Sequence, residues 1–137
     1  MNKLIAVVGM SGTGKSVITD YLEENNWNKL YFGGITYKLM KEAGIERTAD
    51  GKVEKEFREK LRKDHGPECY AKFLEPEIRE KLNQGNVVLD GLYSWYEYKY
   101  LIERFENLVL ICVVTDKNIR YSRVANRPDR PFDKEAI

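Results

Sequence analysis

The chain is poor in the residues that carry disulfide, metal and imidazole chemistry: 137 residues hold two cysteines and one histidine. Cys69 falls in an expected helix and Cys112 in an apolar run expected to be a strand, too few and too differently placed for a disulfide framework or a metal cluster. Both are expected to be reduced packing residues. His65 has no partner for a catalytic triad, and at the end of a charged helix its protonated ring complements the helix dipole. No apolar run reaches the roughly 20 residues of a membrane span. A turn-rich segment arrives by residue 9, earlier than a signal peptide allows, so a soluble cytoplasmic protein is expected. Excess charge is also missing, with 23 basic and 22 acidic residues giving +1. No global field draws nucleic acid or membrane, and neither is an expected partner. There is no internal repeat, low-complexity segment or linker, so residues 1–137 read as one domain with a sizeable core. The oligomeric state stays open.

What is present is a phosphate-cradling string, Gly9-Met10-Ser11-Gly12-Thr13-Gly14-Lys15-Ser16, a full match to G-x-x-x-x-G-K-[ST]. Wrapping backbone around an anion requires unusual dihedrals and close approach, which glycines at 9, 12 and 14 permit. Main-chain N–H groups then converge on the phosphates. Lys15 is expected to place its ammonium on the outer phosphates and Ser16 its hydroxyl on magnesium. The context fits: Lys3 to Val8 reads as a buried strand, and Val17, Ile18, Tyr21 and Leu22 share one face of a following helix. ATP and Mg2+ are the expected cofactors.

That helix should run from Lys15 to about Glu24 and end at Asn25-Asn26. Asn28 to Phe32 reads as a second strand broken by Gly33-Gly34, followed by a short helix over Thr36 to Ala43. After the Asp50-Gly51 turn, Val53, Phe57 and Leu61 line a helix whose polar side carries Arg58 and Arg62. Gly66-Pro67 opens the next helix, with Pro67 in its first turn and Pro76 inside it, so a kink or two shorter helices is expected. Val87-Val88-Leu89 is a third buried strand delivering Asp90 at its carboxyl end, and Ser94 to Glu97 has the form of a capping box. Leu108 to Thr115 reads as a fourth buried strand, and Asp116 begins a last helix.

Strands alternating with helices argue for an α/β fold, a parallel sheet of about four strands covered on both faces. Ligands of such sheets sit beyond the carboxyl ends of the strands. The glycine loop, Gly33-Gly34 and Asp90 should therefore surround one cleft.

Together the glycine loop, Val87-Val88-Leu89-Asp90-Gly91 and the arginines from 120 to 130 resemble the P-loop nucleotide kinases, the group of adenylate kinase and dephospho-coenzyme A kinase. More closely, they resemble an adenylate-kinase-like family known from archaea. The resemblance spans nearly the whole chain and implies a three-layer P-loop fold. It gives Asp90 a place in the magnesium shell, partly through water, with orientation of the acceptor hydroxyl as a secondary role. It makes Arg120 to Arg130 the helix entering a mobile lid, where Arg123, Arg127 and Arg130 approach the nucleotide; Arg123 and Arg127 neutralise the transferring phosphoryl group, and Arg120 decorates a solvated face.

The chain departs from that family in three places. Gly34 and Tyr37 stand where it has an aspartate and an arginine after the second strand, and Leu92-Tyr93-Ser94 where it has an arginine gripping the acceptor phosphate. Arg58, Arg62, Arg79 or Lys38 could replace that arginine, or the acceptor lacks a terminal phosphate. The family also continues to a fifth strand and final helix, whereas this chain stops at Ile137, in the lid region that begins at residue 123.

The implied function is ATP-dependent phosphoryl transfer to a small acceptor, a nucleotide or dephospho-coenzyme A-like compound. Lys15, Asp90, Arg123 and Arg127 would be catalytic, and residues 34–83 the acceptor side. A second reading is a nucleotide-binding module with little or no kinase activity that acts through a partner. No Asn-Lys-x-Asp supports a GTPase. Trp95, Tyr98, Leu101, Ile102 and Phe105 share a helical stripe expected to face the core, and Tyr93, nearest the cleft, is the expected substrate contact.

Overall fold

The computed structural model describes residues 1–92 and 94–126. Its elements are β1 (Leu4–Gly9), α1 (Lys15–Glu24), β2 (Asn28–Tyr31), α2 (Gly33–Glu42), α3 (Lys52–His65), α4 (Cys69–Gln84), β3 (Val87–Asp90), α5 (Trp95–Arg104), β4 (Val109–Val113) and α6 (Lys117–Ala125). The strands form one parallel sheet in the order β2-β3-β1-β4.

The register divides the sheet into two faces. Leu4 pairs with Val87 and Ala6 with Leu89, and these four pack with Leu74 and Ile78 of α4 and Leu101 of α5 in the main core. The alternate residues, including Ile5, Val7, Val88 and Asp90, belong to the α1 face. The chain therefore leaves β1 toward one face, through α1, and leaves β3 toward the other, through α5. This divergence opens a crevice between the carboxyl ends of β1 and β3, the place where such sheets bind ligands.

Helix boundaries follow local chemistry. Asn26 adopts a left-handed φ of 69° just past α1. Ser94 Oγ accepts from the Glu97 N–H at 3.2 Å, and Asp116 Oδ1 from the Asn118 N–H at 2.9 Å, capping α5 and α6. Cys69 and Tyr70 are buried in the first turn of α4, where the Tyr70 and Thr36 hydroxyls meet at 2.9 Å.

Several expectations are corrected. Gly33-Gly34 ends β2 but also begins α2, because once the strand stops Phe32 already has helical dihedrals. Pro67 precedes α4, and α4 runs through Pro76 as one helix, since Leu74 and Ile78 anchor it on both sides. On α1, Val17 is 74% and Tyr21 63% exposed, while Thr19 is buried: the loop, not apolar spacing, sets the helix's rotation. The fourth strand is shorter than expected and not buried. It is a sheet edge, with Val109 53% and Leu110 41% exposed. Cys112 is exposed on that strand, and Trp95 is 66% exposed at the start of α5 rather than in the core.

One polar cluster ties α4 to α5. The Tyr100 hydroxyl donates to Glu75, which also accepts from Arg79 at 2.8 Å and pairs with Arg104 at 3.4 Å. The Tyr100 bond, with help from Arg79, holds the Glu75 carboxyl below its ordinary value of 4.5. A depressed carboxyl stabilises the fold above its unfolded value and loses that contribution as pH falls through the folded one. Tyr100→Phe is expected to lower stability at pH 7 by about 1 kcal/mol. In urea denaturation series across pH, its deficit against wild type should shrink once the pH falls below the ordinary carboxyl value.

Candidate functional site

The connection from β1 to α1 must turn a strand into a helix within five residues, Met10 to Gly14, and dihedral demands fall on its glycines. Gly12 and Gly14 have φ of 82° and 93°, a region that L side chains rarely enter. Space is as restrictive as rotation. A Cβ on Gly12 would lie 2.6 Å from the Arg120 carbonyl oxygen of α6, and one on Gly9 2.6 Å from Thr13 Oγ1.

Other contacts hold the loop from outside. The Thr115 hydroxyl donates to the Thr13 carbonyl at 2.8 Å, and Arg123 Nη1 to the Gly12 carbonyl at 3.0 Å. Tertiary donors thus occupy two of the loop's carbonyls, and the loop borders a cleft whose wall Arg123 shares. Unlike Ser94 of α5 and Asp116 of α6, Gly14 offers α1 no side-chain cap, as is also the case at the starts of α2, α3 and α4, and the first turn of α1 has no acid. A helix start built this way has its positive end available to an anion.

The loop opens on a cleft of about 470 Å³ whose walls include Gly9 to Ser16, Asp90 and Arg123. Across the β1–β3 crevice, Lys15 Nζ lies 3.3 Å from Asp90 Oδ1. Their side chains are 19% and 12% exposed, so the pair is partly desolvated at the floor of the cleft. Asp90 Oδ1 is buried and accepts no hydrogen bond from the described residues. With the exposed Ser16 hydroxyl nearby, the donors are oxygens, the chemistry a hard divalent cation takes. Among the described residues no three His, Cys, Asp or Glu side chains form a metal site, so a cation here would need phosphate or water oxygens to complete its shell.

Two cleft residues escaped the sequence reading, Lys29 and Tyr31. They alternate along β2 and pair in register with Val88 and Asp90, so both belong to the α1 face. The available signal was a lysine two residues from a tyrosine, and so on the same face of the second strand. Thr115 was also missed; it follows β4, and its hydroxyl braces Thr13 while its carbonyl accepts from Arg120.

The expected acceptor residues scatter. Gly34 sits in the first turn of α2, beside the Tyr31 ring. The Tyr37 ring lies under the Arg47 guanidinium at 4.1 Å, and Arg62 lies 5.1 Å from the Tyr70 ring. Arg58 is half-buried on α3, and Lys38 is exposed on α2. Arg79 departs from expectation: it binds Glu75 and lies 4.7 Å from the Phe105 ring, ahead of β4, at the amino ends of the strands and opposite the cleft. Arg120 donates to the Thr115 carbonyl at 3.2 Å, so it braces α6 rather than decorating a solvated face. Tyr93, Arg127 and Arg130, with most of the expected lid, lie outside the described residues.

Because Gly12 combines a positive φ with contact to α6, Gly12→Ala should act on both fold and site. Expected is a loss of about 1–3 kcal/mol in urea denaturation, together with loss of calorimetric heat on titration with Mg-AMPPNP. Gly44→Ala is the control, since its φ of 72° carries the same dihedral strain with open space around it.

Comparison with known proteins agrees with this fold. Residues 5–136 match the family described as the AAA domain. A UPF0200 protein of Methanococcus vannielii is 32% identical over 137 residues, covering 98% of this chain and 71% of the relative. A UPF0200 protein of Thermoplasma acidophilum is 28% identical over 130 residues, covering 95% and 68%. The chain thus spans about two thirds of the length of these relatives. Among solved structures, a gluconokinase from Sinorhizobium meliloti 1021 superposes with a TM-score of 0.54 at 17% identity, over 98% of this chain and 70% of that one, a likeness of fold. The chain belongs to the AAA domain family and to the UPF0200 proteins, and has a P-loop kinase-like fold.

Proposed function

We propose that this protein transfers the terminal phosphoryl group of ATP to a small acceptor, a nucleotide or dephospho-coenzyme A-like compound. The observation that carries the reading is the uncapped start of α1, whose first residue, Lys15, pairs with Asp90 in one cleft. Such transfer depends on positioning and charge neutralisation more than on covalent chemistry.

The loop amides and Lys15 hold the phosphates. Arg123, tethered to the Gly12 carbonyl, is close enough to the loop to take up charge on the transferring group. Arg127 and Arg130 are assigned the same duty on the resemblance alone. Ser16 and Asp90 would hold Mg2+, which when bound supplies charge neutralisation of the phosphate oxygens. The acceptor oxygen bonds to the terminal phosphorus as the bridging P–O bond breaks; ADP leaves with the electron pair, and the acceptor's proton passes to water. Orientation of the acceptor hydroxyl is assigned to Asp90 as a secondary role. Residues 34–83 are assigned to the acceptor side and 123–137 to the start of the lid. No helix of the described residues is long and apolar enough to cross a membrane, and a cytoplasmic location fits this chemistry.

The alternative, a nucleotide-binding module acting through a partner, draws support from the position of Arg79, which leaves the acceptor side without one of its expected cations. Acceptor dependence separates the two. ADP formation from Mg-ATP across nucleoside monophosphates, nucleosides and dephospho-coenzyme A should rise about a hundredfold with one acceptor and collapse in Lys15→Ala. A flat response, with ATP binding intact, would favour the module.

A further inference from the structure

Lys29 lies on an edge strand, where a lysine commonly blunts unwanted pairing. That account is incomplete, because the side chain is only 23% exposed and borders the cleft that holds Lys15 and Asp90. Leu30 turns into the core, and strand alternation sends Lys29 and Tyr31 to the α1 face, in register with Val88 and Asp90. Lys29 therefore stands on the β2 side of Asp90, away from the phosphate loop.

Its partners come from α1. Lys29 Nζ donates to Asp20 Oδ1 at 2.8 Å and lies 3.8 Å from Glu23 Oε1. The Asp20 bond outweighs partial burial and holds the ammonium above its ordinary value, so it is charged at neutral pH. Yet Asp20 and Glu23 are themselves 57% and 55% exposed. A lysine paired with exposed carboxylates exchanges them readily, because water re-solvates the released acid. A phosphate dianion is a stronger partner for an ammonium than either carboxylate.

Three cations line the described walls of the cleft, and they divide by position. Arg123 is tied to the loop, and Lys15 belongs to the loop itself. Lys29 is the cation on the β2 wall. Of the replacements expected from the intervening helices, Arg62 lies over Tyr70 and Arg79 over Phe105, and neither these nor Arg58 and Lys38 line the cleft.

We propose that Lys29 is the acceptor-side specificity residue of this cleft, exchanging Asp20 for the phosphate of a phosphomonoester acceptor. The assignment rests on the kinase reading and narrows its acceptor class. Asp20 acts as a competing counter-ion, holding Lys29 extended along α1 until that phosphate arrives.

The test uses inorganic phosphate as probe, titrated at constant ionic strength into protein saturated with Mg-AMPPNP, so that the loop is already filled. Lys29→Gln should weaken phosphate binding about tenfold, and Lys29→Arg should restore most of it. Asp20→Asn should tighten it, an opposite effect that a purely structural ion pair does not produce. Equal phosphate affinity in wild type and Lys29→Gln, weaker binding in Asp20→Asn, or no binding to loaded wild type would overturn the proposal. The preceding Mg-AMPPNP titration, with Lys15→Ala as control, reads the underlying kinase assignment separately, so the two failures are distinguishable.

Discussion

The close approach of α6 to the phosphate loop is the constraint on which the site depends. Only hydrogen fits between Gly12 and the Arg120 carbonyl, and Arg123 and Thr115 bind carbonyls of the same loop. These contacts fix the loop's backbone, and with it the direction its amides take. A loop in the same sequence without that buttress would have many conformations, and anion binding would carry the entropy of choosing one. Helix α6, distant in sequence, thereby preorganises the loop that leads into α1.

Electrostatics on the cleft floor follow a second pattern. Lys15, Asp90, Lys29 and Asp20 alternate in sign along the α1 face of the sheet, with Lys15 and Asp90 at 3.3 Å and Lys29 and Asp20 at 2.8 Å. The inner pair is partly desolvated, where Coulomb attraction is less screened; the outer pair ends in exposed Asp20. This gradient separates a rigid inner site from an outer one that can exchange partners.

Much of the architecture was legible in the chain itself. The glycine string demanded a strand before it and a helix after it, and both are there. Ser94 and Asp116 announced the starts of α5 and α6 through short-range hydrogen bonding. Apolar pattern was less reliable. Val17 and Tyr21, which share one face of α1, lie exposed, as do Trp95, expected to face the core, and most of β4, expected to be buried. Periodicity reports which residues can share a face, whereas exposure depends on what covers that face.

The sequence by itself determined the phosphate loop, because positive φ at Gly12 and Gly14 and an uncapped helix start are demands met within a few residues. The order of strands and helices was similarly local. Tertiary structure alone decided which side chains share the cleft. Strand order and register brought Lys29 and Tyr31 to Asp90, while Arg79 was carried by α4 to the opposite end of the sheet. No local rule could have made that distinction, since it arises from parallel pairing between segments some sixty residues apart, Asn28 and Val87 among them.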